Sequence, residues 1–172
     1  MAKETEQGLG TPLRFEADPE TKRKKGAYRP VFADVFTLPG ASPAKIEKVH
    51  LLVNPFAGKK RGRAVAAQVV ELVERAGIEI TVSYSAYSGH LVTMASALVV
   101  GDHDIIAVVG GDGSLSEAIT GRMLLNGKRT ETFAIVPAGT GNSQAHDLRL
   151  STPEEAVEAM LNGRRQALDL AR

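Results

Sequence analysis

The chain has 172 residues, a formal net charge of +1 and no cysteine. That length accommodates one domain of ordinary size with a sizeable core. The near-balanced charge gives no ground for a nucleic-acid partner, and the missing thiols exclude disulfides and cysteine metal sites, in keeping with a reducing compartment. No apolar run approaches the ~18 residues that span a bilayer, and the opening Met1-Ala2-Lys3-Glu4-Thr5-Glu6 is too polar for a secretory signal. The expected setting is cytoplasmic, with membrane contact peripheral at most.

Residues 1–44 mix charge with Gly and Pro, carry Lys22-Arg23-Lys24-Lys25, and hold eight Lys/Arg against six Asp/Glu through Lys45. This composition predicts a flexible, solvated extension. Its basic run with Phe32 and Phe36 is also suited to an anionic lipid surface, and Val31 to Leu38 could instead form an edge strand. From Lys45 the pattern changes. Val49 to Val53 reads as a strand stopped by Asn54-Pro55, and Ala64 to Ala76 as a helix with Val65, Val69, Leu72 and Val73 on one face and Gly77 at its stop. A second strand over Ile78 to Tyr84 and a second helix over Gly89 to Val100 follow. Ile105 to Val109, a continuous β-branched and apolar run, reads as a strand buried on both faces. A helix over Leu115 to Leu125, a strand at Phe133 to Val136, a helix begun by Thr152-Pro153-Glu154-Glu155 and ended near Asn162-Gly163, and a final strand at Ala167 to Leu170 complete the order. Strict alternation predicts a three-layer, doubly wound α/β fold, its mostly parallel sheet carrying helices on both faces. Ligands of such sheets bind at the carboxyl ends of the strands.

Three glycine turns lie at those ends. Gly110-Gly111-Asp112-Gly113-Ser114-Leu115-Ser116-Glu117 follows the central strand; its glycines can take backbone angles closed to other residues and let a ligand approach the main chain, and Ser114 or Asp112 can cap the next helix. A strand, a glycine turn and a helix N-terminus together suit a phosphate. Asn54-Pro55-Phe56-Ala57-Gly58-Lys59 follows the first strand and leads into Lys60, Arg61 and Arg63; these cations could meet phosphate charge or form a solvated loop. Pro137-Ala138-Gly139-Thr140-Gly141-Asn142 follows the fourth strand, and Thr140 with nearby N–H groups could cradle phosphate. Neither the Gly-Lys-Ser/Thr ending of a P-loop nor the third glycine of the dinucleotide fingerprint is present, so a nucleotide would be held in another way. Asp112 could steer an acceptor hydroxyl, take its proton, or hold Mg²⁺ against phosphate oxygens; a helix cap is the plain alternative. His50, His103 and His146 lack metal-ligand spacing, and His90 reads as a helix-start residue.

The three motifs, in this order, resemble the diacylglycerol kinase catalytic domain shared by diacylglycerol, sphingosine, ceramide and acylglycerol kinases, and the resemblance runs from about Ile46 to Arg172. It implies the N-terminal domain of the NAD kinase/diacylglycerol kinase-like fold over 45–172, without the β-rich C-terminal lipid domain that follows in those kinases. It implies ATP and Mg²⁺ as cofactors and transfer of the γ-phosphoryl group to the hydroxyl of a diacylglycerol, sphingosine or ceramide acceptor at a peripheral membrane surface. By resemblance Asp112 is catalytic. Asn54, Pro55, Gly58, Lys59, Ser85, Gly111, Gly113, Ser114, Glu117, Gly139, Thr140, Gly141 and Asn142 surround the nucleotide, and Asp112 and Glu117 are the residues through which metal would be held with ATP. Ser85, with Ser88 and Gly89, matches only a loose segment of the family. Ser143 departs from the Asp that bacterial diacylglycerol kinases commonly carry there, which leaves sphingoid bases and ceramide open. Two other readings stand beside the lipid kinase: an NAD kinase-like enzyme, which shares the GGDG turn, and a non-catalytic nucleotide-binding module. An apolar flank left without its second domain would favour homo-oligomers.

Overall fold

The computed structural model describes residues 46–99, 101–125, 131–163 and 165. The extension expected over 1–44, with its basic run and its edge-strand alternative, and the strand expected at 167–170 lie outside the described residues. Four strands, β1 (Lys48–Val53), β2 (Glu79–Tyr84), β3 (Ile105–Gly110) and β4 (Thr132–Pro137), form one sheet in the order β2-β1-β3-β4, parallel at every pairing. Helical segments alternate with them: α1 (Ala57–Lys60), α2 (Gly62–Arg75), α3 (His90–Ala97), α4 (Asp112–Met123), α5 (Ser143–Asp147) and α6 (Pro153–Asn162).

The period of two along each strand builds two cores. Val49, Leu51, Val53, Ile105, Ala107 and Val109 meet Ala66, Val69 and Val73 of α2 and Ala156, Val157 and Met160 of α6. Leu52, Ile106, Val108 and Ile135 face the other way, against Leu91 and Ala95 of α3, Leu115 and Ala118 of α4, and Ala145 of α5. This is the expected three-layer arrangement. All six residues of β3 are buried, and each large apolar side chain hidden in this way contributes roughly 1.5–3 kcal/mol. The chain leaves β1 toward β2 and leaves β3 toward β4, so the loops after the two central strands diverge in opposite directions and open a crevice at the switch point.

Several boundaries differ from expectation for identifiable reasons. Helix α2 begins at Gly62, because a Cβ there would stand 2.0 Å from the Asn54 carbonyl oxygen and only glycine lets the helix start so close to the β1 turn. Helix α4 begins at Asp112, so Asp112 and Gly113 are its first turn and not a loop before it. Helix α5 was not expected. Its five residues carry one buried side chain, Ala145, too little for an apolar period to show. Helix α6 starts in a reciprocal capping box: the Glu155 N–H donates to Thr152 Oγ1, and the Thr152 N–H donates to Glu155 Oε2. On the far side of the sheet the Arg122 side chain of α4 is 2% exposed and donates to the carbonyls of Ala95 and Leu98 and to Glu131, tying α3, α4 and the start of β4 together. No helix among the described residues is long and apolar enough to cross a membrane.

Candidate active site

The loops after β1, β3 and β4 enclose an open cleft of about 380 Å³ at the switch point. Asn54, Ala57 and Gly58 form one wall, Gly111, Asp112, Gly113, Ser114 and Glu117 the floor, and Gly139, Thr140, Gly141 and Asn142 the opposite wall. Most of the predicted site residues are therefore brought together from segments far apart in sequence. Pro55, Lys59 and Ser85 do not line the cleft. Pro55 is buried beneath the turn, the Lys59 side chain stands exposed outside it, and Ser85 is 6% exposed at the end of β2, its N–H donating to the Val53 carbonyl. Ala57, which lines the cleft, carries no chemistry that a sequence reading could single out.

The glycines divide into two groups. Gly111 and Gly139 touch backbone to backbone: a Cβ on Gly139 would lie 2.6 Å from the Gly111 Cα and 2.8 Å from Asn142 Oδ1. Gly58, at φ +53°, would drive a Cβ to 1.9 Å from the Ala138 carbonyl oxygen. These positions are glycine so that the three turns can meet. Gly113 is different, because a Cβ there would meet no atom within 4 Å, and at Gly141 only Asp112 Oδ2 lies near, at 3.6 Å. The central turn does not use the backbone angles that glycine alone can take: Gly110, Gly111 and Gly113 are absent from the positive-φ residues, and close approach, not φ, explains the first two.

Both acids of the central motif hold neighbouring helices. The carboxylate of Asp112 accepts the N–H of Ser143 at 2.9 Å on Oδ2 and that of Gln144 at 2.9 Å on Oδ1, so it caps α5 and not its own helix. These two N–H bonds, Gln144 first, hold the Asp112 carboxyl below the usual aspartate range, which keeps it ionised and makes it a weak base. Glu117 reaches the other way and accepts the N–H of Gly89, the left-handed residue that precedes α3. Asn54 ties the first turn to α4, its Nδ2 donating to Ser114 Oγ at 3.1 Å while its Oδ1 accepts the Phe56 N–H. Ser114 is correspondingly buried and does not cap α4.

What remains unsatisfied defines the chemistry. Neither α2 nor α4 has a side-chain cap, so the first N–H groups of α4, at Gly113 and Ser114, keep their positive dipole end for an anion. No acid stands in the first turn of α2, where Arg61 and Arg63 oppose the dipole. Arg61 Nε donates to the Gly58 carbonyl and Arg63 lies over the Tyr84 ring at 4.7 Å, and neither lines the cleft. Lys59 and Lys60 sit at φ 61° and 70°, a left-handed turn that non-glycine residues adopt at a cost of order 1–3 kcal/mol each. Asn142, also left-handed, gives its Nδ2 to the Gly139 carbonyl, and its buried Oδ1 has no partner, an acceptor that suits an N–H or O–H of a ligand. Among the described residues no group of three His, Cys, Asp or Glu could hold a metal ion.

The sequence pattern of the diacylglycerol kinase catalytic domain matches residues 48–172. Sphingosine kinase B of Dictyostelium discoideum is 31% identical over 139 residues, covering 78% of this chain and 18% of that protein. Sphingosine kinase 1 of Arabidopsis thaliana is 30% identical over 152 residues, covering 83% and 31%. The crystal structure of a diacylglycerol kinase from Bacillus anthracis str. Sterne superposes with a TM-score of 0.58 at 27% identity, covering 69% of this chain and 43% of that one. The chain spans less than half the length of each of these relatives.

Proposed function

Because the chain belongs to the diacylglycerol kinase catalytic domain family, we propose that it is the nucleotide-binding half of an ATP-dependent lipid kinase, passing the γ-phosphoryl group of Mg-ATP to the hydroxyl of a diacylglycerol, sphingoid base or ceramide. The observation that carries this reading is the pair Gly113 and Gly141. A side chain would meet no atom within 4 Å at Gly113 and only Asp112 Oδ2, in ordinary contact at 3.6 Å, at Gly141, and both positions line the cleft at the uncapped start of α4. When bound, Mg-ATP supplies the transferable phosphoryl group and the charge neutralisation that phosphoryl transfer chiefly needs. The α4 N–H groups and Thr140 hold the phosphates, Arg61 adds positive charge beside Gly58, and Asn142 Oδ1 accepts a ligand donor. In the reaction the lipid oxygen bonds to the γ-phosphorus as the bond from that phosphorus to the β,γ-bridging oxygen breaks, ADP departs with that oxygen, and the hydroxyl proton passes to solvent water. Asp112, anchored by its bonds from the Ser143 and Gln144 N–H groups, orients that hydroxyl through an oxygen lone pair left over from them.

Calorimetric titration with Mg-ATP tests the reading on the wild type, Gly141→Ala and Asp112→Asn. Saturable binding by the wild type and at least tenfold weaker binding by Gly141→Ala are expected, with Asp112→Asn retaining binding more than turnover. Wild-type chain that folds and shows no heat of binding overturns it.

A further inference from the structure

The turn from β2 to α3, residues 85–89, buries no apolar side chain of its own. Ala86, Tyr87 and Ser88 are exposed, Tyr87 at 61%. Polar bonds hold it instead. The Ser85 N–H donates to the Val53 carbonyl at 2.8 Å, the Ala86 N–H to His90 Nδ1 at 3.0 Å and the Gly89 N–H to Glu117 Oε1 at 3.1 Å. His90, the first residue of α3, thus reaches back across the turn, and the Tyr87 ring lies stacked on its imidazole, the centroids 4.5 Å apart and the planes 19° from parallel. A backbone N–H can only donate. His90 Nδ1 is therefore the bare nitrogen, and Nε2 carries the ring proton.

We propose that His90 is a positioning residue for the phosphate cleft, acting through Gly89 on Glu117. The inference rests on the nucleotide reading for its purpose. Glu117 lines the cleft, and among the described residues the Gly89 N–H is the one donor its carboxylate meets. Gly89 presents that N–H from a left-handed φ of 84°, and a Cβ there would meet no atom within 4 Å, so no packing fixes it and the bonds around it must. The His90 bond closes the turn from the far side of Gly89 and so sets where its N–H points. A loosened turn would carry that N–H away and leave an unpartnered carboxylate on the cleft floor, a like charge facing the phosphates. His90 thereby keeps Glu117 occupied, and the uncapped start of α4 stays free for an anion.

Amide exchange and calorimetry on the whole chain test this. Long-range proton–nitrogen correlation should find the His90 ring protonated at Nε2. His90→Ala should speed exchange at Ala86 and also at Gly89, whose own acceptor is untouched; alanine forms helix better than histidine, so α3 is not the part that loosens. His90→Asn, whose Oδ1 stands near the place of Nδ1, should restore protection at both amides. Mg-ATP should bind His90→Ala about threefold or more weakly and His90→Asn nearly as well as the wild type, and the alanine loss should vanish in a Glu117→Gln chain, where the charge it exposes is gone. A ring proton on Nδ1, Gly89 exchange that ignores residue 90, no rescue by asparagine, or an equal affinity loss in the Glu117→Gln chain each overturns the proposal. Coupled exchange in a chain that does not bind Mg-ATP would remove the nucleotide reading and leave His90 positioning Glu117 alone; Mg-ATP binding that His90→Ala leaves unchanged would keep the nucleotide reading and overturn the positioning role.

Discussion

Two single-methyl substitutions separate glycines that serve the fold from those that serve a ligand. At Gly113 the added Cβ meets nothing within 4 Å, and the residue lies in the first turn of α4 with no positive φ to forfeit. Alanine is the better helix former by about 0.8–1 kcal/mol at a helix interior, and less at a first turn. Gly113→Ala is therefore expected to leave stability unchanged or raise it by up to ~1 kcal/mol, a Tm rise of at most roughly 2–4 °C for a chain of this size. Its methyl would nevertheless stand where phosphate oxygens approach the α4 N–H groups, so Mg-ATP should bind at least tenfold more weakly. At Gly139 the added Cβ lies 2.6 Å from the Gly111 Cα and 2.8 Å from Asn142 Oδ1, where two backbones would have to separate. Such overpacking costs about 1–3 kcal/mol, or roughly 2–12 °C at the same scaling. Thermal melts with calorimetry on both variants read the contrast. A Gly113→Ala chain that binds Mg-ATP like the wild type would refute the argument that the open Cβ space is kept for a ligand, and an unshifted Gly139→Ala melt would refute the contact between the turns.

Replacing Glu117 by Ala should remove the acceptor for the Gly89 N–H at the start of α3 and cost about 1 kcal/mol, seen as faster amide exchange at Gly89; Glu117→Gln keeps an acceptor oxygen and should retain most of the protection. Arg122→Met should destabilise by about 3–5 kcal/mol, since Glu131 and the carbonyls of Ala95 and Leu98 all lose their guanidinium donor; a denaturant midpoint close to wild type would contradict that accounting. His50 is held below the ordinary histidine value of 6.5 by burial and by His103, and His103 by burial and by Arg122. The unfolded chain thus binds protons more readily than the folded one, so stability should be flat above about pH 6.5 and fall as pH drops below it, with His103→Leu flattening that limb. Asp104 and Asp112 titrate below the ordinary aspartate value of 3.8 in the fold and contribute at any pH above that range, so their loss belongs to a separate and more acidic limb.

Strand and helix faces were legible because their periods are written in single residues. The unbroken Ile105 to Val109 run announces a strand covered on both sides, and Val69 and Val73 announce the buried face of α2. The three glycine turns were legible as a set because their residue types and their places after strands are local facts. The division of labour within them was not. Whether a glycine is empty space or a backbone contact depends on what lies across the cleft, and Gly139 meets Gly111 from 28 positions away in sequence. The same holds for Asp112, whose cap on α5 crosses |i−j| of 31 and 32. Helix α5 itself escaped for a related reason: a five-residue helix with one buried side chain has no period to read, and what fixes its start comes from another element. The left-handed turn at Lys59 and Lys60 runs against the preference of lysine, so propensity pointed away from it.

The two acids of the central motif give the site its mechanical logic. Asp112 draws α5 and the last glycine turn toward α4, and Glu117 draws the start of α3 toward the same helix. Each thereby satisfies N–H groups other than those of α4, and the N-terminus of α4 is left without a side-chain cap in the middle of the assembly. An acid placed to cap α4 would have filled the space and cancelled the dipole that an anion needs. Spending the carboxylates on N–H groups of α5 and of the turn before α3 anchors both acids in the floor and leaves the α4 N-terminus beside them uncapped. On the proposed reading such a site is preorganised for phosphate before any ligand arrives, so the binding energy of the phosphates need not go into ordering the turns that hold them.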